Sequence, residues 1–248
     1  LLKRSLELGA DYIATGHYAR VRLLDNGRYT LQAAASAQKD QTYALYSLTQ
    51  HQLAHTLMPV GDYTKEEIRQ IAQEIGLPVA QKPDSQEICF VPDGDYAAFI
   101  DQTLANPIPA GNFVDTKGNV IGRHQGITHY TIGQRKGLGL AMGHPVFVAA
   151  IRPESNEVVI GESGDIFSLA LRCSHLNWMA CEDLKEGMAV TAKIRYNHRG
   201  ASGSIYRVSR DEAICRFEEP QRAITPGQAV VFYRGDTVLG GGTIEEAL

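Results

Sequence analysis

The sequence predicts an α/β segment followed by an all-β segment, with a small glycine-rich region between them. In the first segment, residues 11–15 resemble a buried strand and precede a helix at 64–75, where Thr64 and Glu67 form a capping box before apolar residues at helical spacing. Strands that alternate with helices favour a parallel sheet. From about residue 146, short alternating segments recur without long helices, which is typical of a small closed antiparallel β-barrel.

The chain divides by composition into three predicted domains, at residues 1–85, 86–145 and 146–248. The middle of the chain is rich in glycine and proline, and the run 122–143 alone holds six glycines. We expect the hairpin of 146–151 and 157–161 to open the barrel. Residues 1–8 resemble the last turns of an amphipathic helix that stops at Gly9, so we expect that the natural protein has residues upstream of Leu1.

The composition is that of an ordinary globular protein, with 44% hydrophobic and 21% charged residues, which excludes fibrous and disordered classes. No apolar run approaches the roughly 18 residues that suggest a membrane span, so we expect no membrane partner. The four cysteines form no CxxC pair and no zinc-site spacing with histidine, which predicts no metal site. We expect a cytoplasmic protein in a reducing compartment.

Charge is unevenly distributed along the chain, although the net charge is only -4. Residues 116–153 and 187–210 contain no Asp or Glu, whereas both stretches carry several Lys and Arg side chains. Segregation of this kind favours a basic face that binds a polyanion. Basic residues that alternate on solvated strands without any partner would give the same pattern, and charge alone does not separate the two interpretations.

Six short motifs occur in an order that matches a known family. They are ATGHY at 14–18, KDQ at 39–41, DSQEICF at 84–90, YTIGQRKGLG at 130–139, TPGQ at 225–228 and GGGTI at 240–244. With these motifs, the chain resembles the bacterial tRNA-specific 2-thiouridylases over essentially its whole length.

The resemblance implies the C-terminal part of a parallel-sheet ATP-pyrophosphatase domain, a central domain that contacts tRNA and a C-terminal β-barrel. It implies that ATP, with Mg²⁺, adenylates the C2 oxygen of the wobble uridine and that persulfide sulfur from a donor protein then replaces this oxygen. The family's Ser-Gly-Gly-Val-Asp-Ser phosphate loop and its first catalytic cysteine are not in this sequence, since both precede Leu1 in the family pattern. We therefore expect the 248 residues alone to be inactive.

Two residues match the chemical centre of the family. Cys89 stands where the family carries its persulfide cysteine, although a lone cysteine beside apolar residues is more often buried and inert. Gly16 ends the predicted strand 11–15 and matches an ATP contact, because a residue without Cβ lets the backbone approach a nucleotide closely. The other interpretation of Gly16 is a simple turn residue.

The resemblance also implies seven tRNA contacts, which are His17, Lys39, Asp40, Gln41, Arg195, Tyr196 and Gln228. Lys and Arg would bind phosphates, Asp40 and Gln41 would bond sugar or base edges, and the Tyr196 ring would stack beneath a base. Without the resemblance, Lys39–Gln41 would fit a solvated loop, and Arg195 with Tyr196 would fit an exposed strand end. Gln228 would fit a turn that opens the next strand.

The remaining motifs favour less specific roles. Strand parity predicts that Cys173 and Cys215 fill the barrel core, and Cys181 falls in a connection. The run at 130–139 does not meet the phosphate-loop spacing, so a basic loop with Arg135 and Lys136 on RNA phosphates fits it better.

Two rival functions remain open from the sequence. One is a different pyrophosphatase-type enzyme that ligates or amidates a small molecule, although it would have no use for a basic barrel or for Cys89. The other is a non-enzymatic fragment that only binds tRNA.

Overall fold

The computed structural model of the chain describes residues 1–78, 80, 91, 94–106 and 108–248. These residues form two compact units: the first comprises Leu1–Lys82, Leu169–Pro220 and Thr225–Leu248, and the second Pro83–Ser168 and Gln221–Ile224. The helices are α1 Leu2–Glu7, α2 Gln50–Ala54, α3 Lys65–Glu74 and α4 Tyr96–Thr103. The strands are β1 Ile13–Ala14, β2 Ala19–Leu23, β3 Tyr29–Ala33, β4 Thr56–Leu57, β5 Gly111–Asp115, β6 Val120–His124, β7 Phe147–Arg152, β8 Glu157–Gly161, β9 Phe167–Trp178, β10 Met188–Lys193, β11 Ala201–Arg207, β12 Ala213–Arg222, β13 Ala229–Arg234 and β14 Thr237–Ala247.

The predicted parallel sheet is present in the first unit as the pair β1–β4. The predicted helix is α3, and its capping box forms as expected, since Thr64 Oγ1 accepts from the Glu67 N–H while the Glu67 carboxylate accepts from the Thr64 N–H. The expectation that the first strand is buried is wrong, because Ile13 is half-buried and Ala14 is exposed. Among the described residues this sheet has only two strands, so it buries little surface.

Six antiparallel strands, β9 to β14, form the predicted closed barrel. They lie in the order β13-β10-β11-β12-β9-β14, and the pairing of β13 with β14 closes the barrel. Cys173 and Cys215 are fully buried on neighbouring strands, together with Ile205 and Val230. The prediction that these two cysteines fill the core is confirmed.

The hairpin β2–β3, which the sequence analysis did not identify, extends the barrel sheet beyond β14. Thr30 Oγ1 donates to the Val238 carbonyl at 2.6 Å, and the Arg28 guanidinium donates to the Trp178 and Met179 carbonyls at 2.7 and 2.8 Å. These bonds attach a hairpin from the N-terminal segment to the C-terminal barrel.

A shared apolar core holds the same elements together from inside. It contains Ala19, Leu31, Tyr43, Leu53 and Met58 from the N-terminal segment, and Met179, Val231, Tyr233 and Val238 from the barrel. The α/β segment and the barrel therefore fold as one unit, because neither could expose this apolar surface to water without a large cost.

The second unit is built on a four-stranded sheet in the order β6-β5-β8-β7. Its core includes Phe113, Val148, Val158 and Ile160. The hairpin β7–β8 forms as predicted, but β8 pairs in parallel with β5, so the hairpin belongs to this sheet and does not open the barrel. The expected boundary at 146 divides this unit, because the inward side chains of β7 and β8 complete the core around Phe113.

Within the described part of the chain, no helix has the length and apolarity needed to cross a membrane.

Truncation of Leu31 to Ala should test the shared core. Leu31 is fully buried, so we expect a loss of about 2–5 kcal/mol in the free energy of unfolding, measured by urea denaturation. The matched control is Leu23→Ala on the same hairpin, since Leu23 is 60% exposed and its truncation should cost less than about 0.5 kcal/mol. Equal losses from the two variants would contradict the shared core.

Candidate nucleic-acid interface

Whereas Arg135 and Lys136 lie in the second unit, the first unit contains Gly16 and the seven residues that the resemblance implies as tRNA contacts. The residues lie in four loops, at 15–18 after β1, at 34–41 after β3, at 194–200 after β10 and at 225–228 before β13. Hydrogen bonds and ring contacts link these loops to one another, as described below.

The loop after β1 presents Gly16 and His17 at the carboxyl end of a parallel strand, where ligands bind on such sheets. Gly16 is exposed, and no atom of the chain comes within 4 Å of the position that a Cβ would take. Packing within the chain therefore does not demand a glycine here, and the open backbone fits the close approach of a nucleotide. His17 Nδ1 lies 3.0 Å from Thr15 Oγ1, which orients the half-buried ring.

Gln41 joins the second loop to the first. Its side-chain Oε1 accepts from the Tyr18 N–H at 2.9 Å, and its own N–H donates to the Tyr18 carbonyl at 2.9 Å. These two bonds fix the position of Lys39–Gln41 relative to Gly16 and His17.

The Asp40 carboxylate is a polar centre inside the site. Its side chain is only 7% exposed, and it accepts from the Ala34 N–H at 3.2 Å and from Thr42 Oγ1 at 2.7 Å. Lys193 Nζ lies 3.9 Å from Asp40 Oδ2 and 5.2 Å from the centre of the Tyr233 ring. Both carboxylate oxygens are therefore engaged within the protein, and a direct bond from Asp40 to a sugar or base edge stays a prediction.

Tyr196 brings the barrel loop to the same place. Its hydroxyl donates to the Asp40 carbonyl at 3.4 Å, and its ring meets the Tyr43 ring edge-on at 6.1 Å. Tyr196 is 49% exposed, so one side of the ring remains accessible beside the exposed Arg195.

Tyr43 connects this pair to the loop that carries Gln228. Its hydroxyl donates to the Ala229 carbonyl at 2.8 Å, while the adjacent residue Gln228 is exposed. Burial, with a smaller contribution from Tyr46, raises the pKa of Tyr43 to about 12, and the charge of Arg195 acts in the opposite direction. The phenol stays protonated near neutral pH and keeps its donor role.

Three residues of the site were missed by sequence reasoning: Thr42, Tyr43 and Lys193. Thr42 and Tyr43 directly follow the KDQ motif, and Lys193 ends β10 two positions before Arg195, so closeness to the motif residues is the signal that could have found all three. The acid-free stretch 187–210 offers fewer cations to a polyanion than its composition suggests, because Arg207 forms an ion pair with Asp183.

The three cysteines in the described part of the chain are poor nucleophiles. Burial raises the pKa of Cys173 and of Cys215 to about 12, and it also raises the pKa of the half-buried Cys181. All three would carry little thiolate near neutral pH. The predicted persulfide residue, Cys89, lies outside the described residues.

Comparison with protein families gives matches along three successive stretches. The tRNA methyl transferase HUP domain matches residues 1–93, the tRNA methyl transferase PRC-barrel domain residues 97–162, and the aminomethyltransferase β-barrel domain residues 168–244. The second match includes β7 and β8, in agreement with their place in the central sheet. Together with the loops described above, these matches define a protein of the tRNA-modifying class.

Curated relatives narrow this class. Proteins named tRNA-specific 2-thiouridylase MnmA are 66% identical in Lachnoclostridium phytofermentans, over 98% of this chain and 68% of the relative, and 55% identical in Carboxydothermus hydrogenoformans, over 100% and 68%. The protein of that name in Acetivibrio thermocellus is 52% identical over 99% of this chain and 68% of its own length. The chain belongs to the MnmA family of tRNA-specific 2-thiouridylases, and membership implies the use of ATP.

Replacement of Asp40 by Ala should loosen the site. The change removes an acceptor from Ala34, Thr42 and Lys193 together, so we expect a loss of about 2 kcal/mol in the free energy of unfolding. Urea denaturation measures it, with Asp25→Ala as the control, because Asp25 is exposed in the β2–β3 turn. If both variants unfold at the same urea concentration, Asp40 is not the polar centre of the site.

Proposed function

We propose that the chain takes part in the ATP-dependent 2-thiolation of uridine at the wobble position of tRNA. The observation that carries this proposal is the convergence of the KDQ loop, the Arg195–Tyr196 loop and the Gly16–His17 loop on one surface through Gln41, Asp40 and Tyr43. The names of the curated relatives support the same activity.

The roles of the surface residues follow from their chemistry. Lys39 and Arg195 supply cations for phosphate oxygens, and the half-exposed ring of Tyr196 offers a stacking face for an unpaired base. His17 and Gln228 supply further hydrogen-bonding groups. The Asp40 carboxylate acts through its neighbours, because it holds the Ala34–Thr42 loop and Lys193 in place. A wobble base must leave its stack to reach such a surface.

Gly16 is the residue that we propose for ATP contact in this chain. When bound, ATP with Mg²⁺ supplies the adenylyl group that activates the uridine oxygen. Gly16 itself contributes an uncovered backbone next to His17, so the nucleotide and the tRNA would meet at the end of β1.

We propose that Cys89 carries the persulfide delivered by a sulfur-donor protein. The high pKa values of Cys173 and Cys215 support this choice, since neither thiol ionises near neutral pH. The rival function, a chain that binds tRNA without modifying it, shares the binding surface but makes no use of Cys89.

Replacement of Arg195 by Ala should weaken tRNA binding uniformly across tRNA sequences. The loss of one phosphate contact should make the plot of log K against log salt shallower by about one unit. Fluorescence titration at several salt concentrations measures both quantities. Arg4→Ala is the control with the same charge change, since Arg4 pairs with Glu7 on α1. An unchanged slope for the Arg195 variant would remove this residue from the interface.

Replacement of Cys89 by Ser should abolish persulfide loading, because a hydroxyl oxygen cannot carry the transferred sulfur. The chain is incubated with a persulfide-donating protein, digested, and examined by mass spectrometry for sulfur addition on each cysteine. Cys181→Ser is the control and should load normally, since burial raises the pKa of Cys181. Persulfide on Cys181 in place of Cys89 would contradict the assignment.

A further inference from the structure

Lys193 is a cation of the acid-free stretch 187–210, but its side chain points into the protein and is only 25% exposed. Its neighbours Ala192 and Ile194 are buried, so alternation along the extended chain turns Lys193 to the opposite side. There Lys193 lies opposite Val231 of β13, which belongs to the core that the barrel shares with the N-terminal segment. The ammonium therefore faces this segment more than the solvent.

The Lys193 ammonium is held by a carboxylate and an aromatic ring. Its Nζ is 3.9 Å from Asp40 Oδ2 and 5.2 Å from the centre of the Tyr233 ring, within the range of an ion pair and of a cation–π contact. Tyr233 is the diagonal neighbour of Lys193 across β10 and β13, so its ring is within reach of a long side chain. A group from the N-terminal segment and a group from the barrel thus share one cation.

Tyr233 also supports the carboxylate of this ion pair. Its hydroxyl lies 3.2 Å from Thr42 Oγ1, and Thr42 Oγ1 donates its only hydrogen to Asp40 Oδ2 at 2.7 Å. The Tyr233 hydroxyl is therefore the donor to Thr42. Burial raises the pKa of Tyr233, so this hydroxyl keeps its proton near neutral pH. Lys193 and Thr42 converge on the same carboxylate oxygen, and Tyr233 contacts both.

The end of β10 and the loop after it contact Asp40 at two points. Lys193 faces the Asp40 side chain, and three residues later the Tyr196 hydroxyl donates to the Asp40 main-chain carbonyl at 3.4 Å. Asp40 stands between Lys39 and Gln41, so both contacts act on the loop that carries these residues. Loss of the ammonium would leave a carboxylate that is only 7% exposed with neutral donors alone, which is costly.

We propose that Lys193 is a positioning residue for tRNA binding. Its ammonium pairs with Asp40, and this pair holds the KDQ loop against the Arg195–Tyr196 loop at the spacing that tRNA needs. Lys193 itself makes no contact with RNA, although its acid-free stretch would suggest a phosphate ligand. The inference rests on the proposed function, since it concerns the same tRNA, and it assigns a role to a residue that none of the six motifs includes.

The test is a double-mutant cycle on tRNA affinity, measured by fluorescence titration of the full 248-residue chain at one salt concentration. Lys193→Met keeps an apolar stem and removes the ammonium, so it should weaken binding about three- to tenfold, in line with couplings between residues of one network. In the background of Asp40→Asn the same change should weaken binding less than about twofold, because the partner of the ammonium is already gone.

Further variants separate positioning from charge and from folding. Lys193→Arg restores a cation and should recover most of the affinity that Lys193→Met loses. Lys185→Met is the matched control and should bind like the unaltered chain, since Lys185 is exposed and precedes β10, whereas Lys193 ends it. Circular dichroism checks that each variant is folded. If Lys193→Met does not fold, the double variant still decides when it is compared with Asp40→Asn, because a direct phosphate contact would be lost there.

The outcomes separate this role from the proposed function. If folded Lys193→Met binds tRNA like the unaltered chain, the ion pair is only structural and the proposal is wrong. If the change costs the same affinity in both backgrounds, Lys193 binds RNA directly and the proposal is also wrong. If Lys193→Arg binds as weakly as Lys193→Met, the charge at this position does not act as proposed. In these three cases the proposed function stands, whereas an unaltered chain that does not bind tRNA would overturn both.

Discussion

The attachment of the β2–β3 hairpin to barrel strand β14 is the constraint on which the candidate interface depends. Thr30 bonds the Val238 carbonyl, and Leu31 enters a core that the barrel shares. The chain leaves β3 at Ala33 and reaches Lys39–Gln41 a few residues later, so the hairpin determines where that loop lies. Without this attachment, Asp40 and Tyr196, which are 156 residues apart in sequence, would not be held in contact.

The Asp40 carboxylate shows how the site tolerates a buried charge. A carboxylate removed from water is costly unless donors satisfy its oxygens. Here a backbone N–H, the Thr42 hydroxyl and the Lys193 ammonium all face it, and Lys193 in turn lies against the face of the Tyr233 ring. Several elements must be correctly placed to satisfy one charge, so the same arrangement that stabilises Asp40 also sets the geometry of the loops around it.

Local patterns in the sequence predicted the parts of the structure that local physics decides. The capping box of α3 and the burial of Cys173 and Cys215 follow from helical spacing and strand alternation. The β2–β3 hairpin also had a local signal, since Asn26-Gly27 favours a tight turn. Its place beside β14, the place of β8 beside β5 and the inward orientation of the Asp40 carboxylate depend on contacts between distant segments, which no short pattern encodes. For the same reason, the motifs indicated the candidate residues of the site but not the contacts that Lys193 and Tyr43 make with them.

The second unit is not a continuous stretch of chain, and this has a consequence for any attempt to study it in isolation. Residues 221–224 return to it after the chain has already built four strands of the barrel. The returning segment is structural, because the Ala223 N–H donates to the Ile166 carbonyl at 2.7 Å and Arg222 bonds the carbonyl of Gly133. An excised piece ending at residue 168 would lose these bonds, and with them one support of the glycine-rich loop. The second unit is therefore compact in space but is encoded by two separate stretches of the chain. A domain swap between relatives would have to exchange Pro83–Ser168 and Gln221–Ile224 together.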